Sequence, residues 1–412
     1  MRRRHFLQAF CAAAALGSTP PAEESLGPQV PASGEAQRSP RVPSLQPEDY
    51  ERRMEKARRL MRQHNVSALY LNGGSTLSYF TGMEWGLSER MFAVILPRQG
   101  ELIYISPAFE GRRAQERIKL GKDLRLWQED ESPYELVRIA LADRGIRSGA
   151  VALEPMVRHF VSDGLAAATP GIHWVSGRAI TDGCRMIKDE KELAFMRAAD
   201  QIAKTAFRNA FKSLREGMTE ADLGQTISRA FTSLGARGGA LVLFGPNSAF
   251  PHGSTRQRKL IAGDIVLVDG GCSVQGYQSD VTRTVVFGKP SDKHRQIFQI
   301  VHAAQTAARE AARAGVPCEA VDRAARQVIE QAGYGPGYKY FTHRVGHGIG
   351  LDGHEEPYLV KGNKLLLQPG MTFSDEPGIY IEGEFGLRLE DIIHITADGC
   401  EVLGETEDKL GW

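Results

Sequence analysis

From Pro47 onward the chain alternates between two apolar rhythms, one recurring every three to four residues and one every two. Met54, Ala57, Leu60 and Met61 fall at helical spacing behind Pro47, Glu48 and Asp49, a start that suits the first turn of a helix. The helix runs to about His64, and strand-like text follows at 68–71, 92–96 and 102–105. Helical text then covers 108–118 and 133–142, a strand covers 151–153, and a further helix covers 160–167. Strands separated by helices predict an α/β domain over residues 46–182 with a mixed or mostly parallel sheet. No glycine-rich phosphate loop and no nucleophile elbow interrupts it, so its expected role is structural or in assembly.

Residues 188–412 are ordered differently. Lys188-Asp189-Glu190-Lys191-Glu192 is an acid-rich helix start, continued at helical spacing by Leu193, Met196, Ala199, Ile202 and Ala206. Thr219 to Asp222 has capping-box spacing and opens a second helix through Leu223, Ile227 and Phe231 to Gly235. Strands at 240–244, 264–269 and 282–287 follow. The scheme then repeats, with helices at 292–314 and 319–332 and strands at 372–373, 379–381 and 387–395. Two rounds of paired helices and antiparallel strands predict an internally duplicated α+β domain.

The amino terminus adds a separate signal. Arg2-Arg3-Arg4 precede His5-Phe6-Leu7 and an apolar run from Ala9 to Leu16. This reads as an export signal over 1–18, of twin-arginine type, which places the protein outside the cytoplasm; a cytoplasmic basic terminus is the alternative. Residues 19–45 are rich in Pro, Ser, Glu and Gln and read as a linker without a core. The apolar run is too short to span a bilayer. Lys+Arg 51 against Asp+Glu 50 leaves a net charge of +1, so no field recruits nucleic acid or an acidic membrane. Five scattered cysteines without CxxC spacing argue against a disulfide framework or a zinc–thiolate site.

The chemistry gathers in the last third. Asp269 and Asp280 flank a turn at Val274-Gln275-Gly276, which could set both carboxylates on one face of a hairpin. His347 sits between two glycines and shares a short stretch with His343 and His354. Pro377 biases Glu376 toward an extended conformation, and strand periodicity puts Arg388 and Glu390 on one face. Read singly, each has an ordinary explanation: a strand-end cap, a structural histidine, a turn glutamate, a surface ion pair. Read together, two Asp, one His and two Glu suit a pair of divalent cations sharing carboxylates.

The motifs FGPNSAFPHG (244–253), VDGGCSVQGYQSDVTRT (268–284), HRVGHGIGLDGHEEP (343–357), SDEPGIY (374–380) and GLRLED (386–391) resemble, in order, those of the pita-bread metallopeptidases. That family includes methionine aminopeptidase, aminopeptidase P and prolidase. Residues 46–182 resemble the amino-terminal domain of aminopeptidase P, prolidase and creatinase.

The resemblance implies that Asp269, Asp280, His347, Glu376 and Glu390 bind two divalent metals, with Asp280 and Glu390 bridging them. Manganese is the first expectation, with cobalt or zinc as alternatives. It further implies catalytic roles for His252, His343, His354 and Glu376, with Thr282 and Arg388 orienting the ligands. The implied reaction is attack of a metal-bridging hydroxide on the carbonyl before proline, Glu376 relaying the proton to the leaving nitrogen. An exported enzyme would meet longer peptides, so the expected activity is aminopeptidase P-like. Xaa-Pro dipeptidase is the alternative, and a creatinase-like metal-free hydrolase or a non-catalytic binding protein is more distant. A homodimer is expected, with Tyr79, Trp85 and Arg90 as candidates to shape the partner's substrate pocket.

Overall fold

A computed structural model of the chain describes residues 42–406, 409 and 410; the export segment read at 1–18 lies outside them. Pro47 at the first helical position and a capping box between Gln46 and Asp49 start α1 (Pro47–Gln63). The amino-terminal half continues β1 (Ala68–Asn72), α2 (Ser75–Thr81), β2 (Ala93–Pro97), β3 (Ile103–Pro107), α3 (Gly111–Arg117) and β4 (Asp123–Trp127). It closes with α4 (Pro133–Asp143), β5 (Gly149–Leu153), α5 (His159–Ala168), β6 (Ile172–Ser176) and α6 (Arg178–Arg185).

The six strands form one mixed sheet in the order β4-β3-β2-β1-β5-β6, in which β2 runs antiparallel to β1 and β3 and the other pairs are parallel. Alternate residues of β1 feed two cores: Leu69 and Leu71 meet Met54, Ala57 and Met61 of α1, while Ala68 and Tyr70 meet Val137 and Leu141 of α4. Both faces are covered, which is why the strand text is apolar without alternation.

Strands β4 and β6 escape the sequence reading for a physical reason. They are the sheet edges, half-exposed along their length, so neither carries an apolar run. The domain boundary read at residue 182 falls inside α6, whose Ile180 and Cys184 pack into the core that α1 covers. Tyr79 and Trp85 do not reach outward. The Tyr79 hydroxyl donates to the Cys184 carbonyl at 3.0 Å, and Trp85 stacks on Phe92 at 3.9 Å. Arg90 is exposed but paired with Glu89 and Glu129.

The second half begins with α7 (Glu190–Phe211), capped by Asp189, and α8 (Glu220–Ser233), capped by Thr219. Then come β7 (Gly238–Phe244), β8 (Ile265–Val274), β9 (Tyr277–Gln278) and β10 (Val281–Val286). The second round is α9 (Asp292–Ala311), α10 (Cys318–Gln331), β11 (Gly346–Gly348), β12 (Glu355–Leu359), β13 (Thr372–Asp375), β14 (Gly378–Ile381), β15 (Phe385–Arg388), β16 (Asp391–Ile395) and β17 (Cys400–Val402). The duplicated helix-pair and strand scheme is therefore present. The strand read at 387–395 is in fact two: β15 pairs with β14, β16 pairs with β13 and β17, and Leu389-Glu390 cross between the sheets.

A buried charge cluster fastens the two halves. Arg53 of α1 donates to the Tyr79 carbonyl at 3.0 Å and the Tyr277 hydroxyl at 2.9 Å, and that hydroxyl donates to Glu192 at 2.6 Å. Among the described residues no helix is long and apolar enough to cross a membrane.

Candidate metal centre

Gln275 and Gly276 both take positive φ, 51° and 85°, the backbone that a tight hairpin turn needs and that glycine adopts without strain. The hairpin pairs β8 with β10 so that Thr282 lies opposite Asp269. Asp280 lies just ahead of β10, and the crossing residue Glu390 docks beside Thr282, its N–H donating to the Thr282 carbonyl at 3.2 Å. One oxygen from each of Asp269, Asp280 and Glu390 then falls within 4.8 Å of the others.

The second cluster comes from β11, β13 and β16. Asp375 pairs opposite Asp391, so Glu376, the residue after β13, and Glu390, the residue before β16, stand together beyond the strand ends. Gly346 and Gly348 flank His347 where an added Cβ would strike the backbone of Ser374 and of Glu355–Glu356; glycine lets β11 slot between β12 and β13. Ligand atoms of His347, Glu376 and Glu390 also lie within 4.8 Å of one another. Two triads sharing Glu390 are the arrangement that two cations bridged by a carboxylate require.

The tautomer of His347 follows from its neighbours. Nδ1 lies 3.1 Å from the Gly348 carbonyl, which can only accept, so Nδ1 carries the hydrogen. Nε2 then presents its lone pair toward Glu376 Oε1 at 3.4 Å and Asp280 Oδ2 at 3.8 Å. Burial, more than its neighbour His354, holds the imidazole neutral, with its pKa down at about 3.

The carboxylates are pushed the other way. Burial first, then mutual repulsion, raises Asp280 and Glu390 well above the usual range, and burial raises Glu376 to about 7 despite Arg388. Four carboxylates gathered in a cavity of about 360 Å³ are costly without compensating charge. Four carboxylates and one free imidazole lone pair fit two divalent cations.

Arg388 partly offsets that charge. It is buried (2% exposed) and donates to Asp269 at 2.5 Å, Thr282 Oγ1 at 3.0 Å and the Tyr380 hydroxyl at 2.8 Å. Thr282 Oγ1 lies 2.6 Å from Glu390 and 3.0 Å from Asp269, so Arg388 and Thr282 together orient both carboxylates.

The three other histidines differ. His252 and His354 keep exposed rings on the cavity wall, and the His354 ring stacks on that of His347 with centroids 3.7 Å apart. His343 has both nitrogens engaged, Nδ1 with the Arg344 carbonyl at 2.8 Å and Nε2 with the Tyr380 hydroxyl at 2.7 Å. It could meet a substrate only by giving up one of these bonds.

Two residues of the site were not read from sequence. Tyr380 links His343 to Arg388, and its one signal is its place at the end of SDEPGIY. Arg344 lines the cavity with its guanidinium 3.9 Å over the Tyr358 ring and 3.5 Å from His354 Nδ1. Among the described residues no carboxylate forms an ion pair with it.

Known proteins match this arrangement along almost the whole chain. Residues 194–397 match the model of metallopeptidase family M24, and residues 53–187 match the creatinase/prolidase amino-terminal domain. The probable dipeptidase PepE of Mycobacterium tuberculosis is 37% identical over 369 residues, covering 88% of this chain and 96% of that protein. The Xaa-Pro dipeptidase of Lactobacillus helveticus is 33% identical over 365 residues, covering 87% and 98%. The crystal structure of a prolidase from Thermococcus sibiricus superposes with a TM-score of 0.80 at 33% identity, covering 88% and 98%. With the duplicated fold and both carboxylate triads in place, the chain belongs to metallopeptidase family M24, its pita-bread catalytic domain preceded by a creatinase/prolidase-type domain.

Proposed function

We propose that the protein is a Xaa-Pro dipeptidase, hydrolysing the bond before proline in a dipeptide. The observation that carries hydrolysis at a metal pair is the two triads sharing Glu390, and the choice of a dipeptide rests on Arg344 and on the relatives named dipeptidases. Asp269, Asp280 and Glu390 would hold one cation, and His347, Glu376 and Glu390 the other. When bound, such a pair acidifies a shared water and polarises the scissile carbonyl. An oxygen-rich donor set with one imidazole favours manganese, with cobalt or zinc as alternatives.

The chain's own groups account for the rest. Glu376, held near neutrality, is suited to accept a proton from the water and pass it to the leaving proline nitrogen. His252 and His354 are free to donate to the carbonyl oxygen as charge develops there. The free proline carboxylate of a dipeptide would find a cation in Arg344, which among the described residues pairs with no carboxylate. That feature and the relatives named dipeptidases favour this reading over the aminopeptidase P-like activity first expected, which rested on export. Export by the twin-arginine route and a homodimer remain proposals.

The test compares a Xaa-Pro dipeptide with a Xaa-Pro-Xaa tripeptide on manganese-supplemented protein. A higher kcat/KM for the dipeptide is expected. Preference for the tripeptide would reinstate the aminopeptidase reading, and cleavage of neither would overturn both.

A further inference from the structure

His354 stands as a partition. It lines the metal cavity on one side and, on the other, a second cavity of about 350 Å³ between the two halves of the chain. Among the described residues its ring makes one hydrogen-bond contact, to Arg344 at 3.5 Å, with an Asp280 oxygen within 4.8 Å, so the ring has little direct side-chain support beyond its stack on His347. Its position therefore depends on the backbone around it.

That backbone is held from the amino-terminal half. Arg185, the last residue of α6, donates to Asp352 Oδ2 at 2.8 Å and Glu355 Oε2 at 2.5 Å, one on each side of His354. The same guanidinium reaches Ser75 at 3.2 Å and Thr76 at 2.9 Å in α2, and Ser75 itself donates to Asp352 at 2.8 Å. Lys188 takes the other oxygen of Glu355 at 2.6 Å, and Arg178 of α6 pairs with Glu356. The side chains of Arg185, Lys188 and Glu355 are nearly buried, and the Arg185 Nη2 bridges the two carboxylates while its Nη1 is held by α2, so the planar guanidinium fixes geometry as well as charge.

We propose that Arg185 is a positioning residue for the reaction: by gripping Asp352 and Glu355 it holds the intervening His354 over the candidate metal centre. The amino-terminal domain thereby acts on the chemistry of its own chain. This rests on the reading of His354 as a group that meets the scissile carbonyl.

A double-mutant cycle on the full-length, metal-loaded protein separates positioning from general support of the fold. Arg185→Met should lower kcat for a Xaa-Pro dipeptide about a hundredfold, the cost of a small misplacement of a catalytic group, with metal content unchanged and KM little altered. Arg185→Lys should recover part of the loss. In a His354→Ala background, Arg185→Met should cost almost nothing more; an equal loss in both backgrounds would overturn the proposal. If Arg185→Met does not fold, Ser75→Ala and Asp352→Asn enter the same cycle under the same criterion.

Histidine-ring NMR on zinc-loaded protein, which is diamagnetic, reads the coupling without turnover. The His354 resonance should move in Arg185→Met while that of His252 stays, and an unmoved His354 would also overturn the proposal. Wild-type protein that cleaves no Xaa-Pro dipeptide would defeat the proposed function and leave this readout decisive for Arg185.

Discussion

Replacing Arg309 with methionine tests what holds the strands beneath the metal centre. Arg309, near the end of α9, donates from Nε to Asp375 Oδ2 at 3.1 Å and from Nη2 to Asp391 Oδ2 at 2.8 Å. These aspartates lie directly opposite each other between β13 and β16, where two like charges repel. Asp391 has other partners, Arg283 at 2.7 Å and Lys204 at 3.0 Å. Burial alone would raise its pKa, but these cations and Arg309 outweigh that and hold it at about 2. Asp375 is fully buried, and Arg309 is its one ion-pair partner among the described residues.

Removing one member of a buried pair costs about 3–5 kcal/mol. Burial already pushes Asp375 far up, so it can escape by taking a proton, which puts the expected loss near the lower end, about 3 kcal/mol. The assay is urea unfolding of metal-free protein at pH 7, so that metal linkage does not enter. The double variant Arg309→Met with Asp375→Asn should recover most of the loss. A carboxylate with a raised folded pKa contributes stability at low pH and loses it as pH rises through that pKa, so the deficit of the single variant should shrink on acidification. A loss under about 1 kcal/mol, or no relief from Asp375→Asn, would refute the neutralising role of Arg309.

Metal binding should release protons from carboxylates rather than imidazoles. Burial raises Glu376 to about 7, and burial with mutual repulsion holds Asp280 and Glu390 well above the usual carboxylate range, whereas His347 is already neutral. Apparent affinity should therefore climb from about pH 6 to about pH 8; calorimetry in buffers of different ionisation enthalpy measures the release, and none at pH 7 would contradict the argument. The raised carboxylates contribute stability below their unfolded pKa and lose it as pH rises through the folded one, about 7 for Glu376. His343 and His347, held down at about 3, contribute above their unfolded pKa of about 6.5 and lose it as pH falls. Glu390→Ala, which breaks both triads, should abolish binding of the metal pair and lower kcat/KM by about a thousandfold or more; unchanged cleavage would remove Glu390 from the mechanism. Asp189→Ala, which deletes the cap of α7, should cost about 1 kcal/mol in thermal unfolding without touching KM.

Much of this architecture could be read from the sequence because its signals are local. The α7 and α8 starts show in Asp189 and Thr219, whose side chains cap the helix they precede. The hairpin carrying Asp269 and Asp280 shows in Gln275-Gly276. What escaped depends on tertiary neighbours. The edge strands β4 and β6 carry no continuous apolar run because each lies half-exposed at an edge of the sheet. The break at Leu389-Glu390 is hard to see because apolar residues recur on both sides of it, from Leu387 to Ile395, while the chain changes sheets. Tyr79 and Trp85 read equally as surface or core aromatics until α1, α2 and β2 enclose them. The engagement of His343 depends on Tyr380, far along the chain, and no spacing announces it.

The acids of the centre also occur in a mirrored order: Asp375-Glu376 leaves one strand and Glu390-Asp391 enters the next. Antiparallel pairing converts that mirror into like facing like, so the two aspartates share the helix arginine and the two glutamates share the cavity. All four side chains end in the same carboxyl group, so the head group does not sort them between arginine and metal. Reach does: the shorter pair is matched to a guanidinium brought close by α9, and the longer pair extends one methylene further toward the cations. Exchanging the members of either dipeptide would preserve composition and net charge while misfitting both partners, so the centre is encoded in side-chain length as much as in acidity.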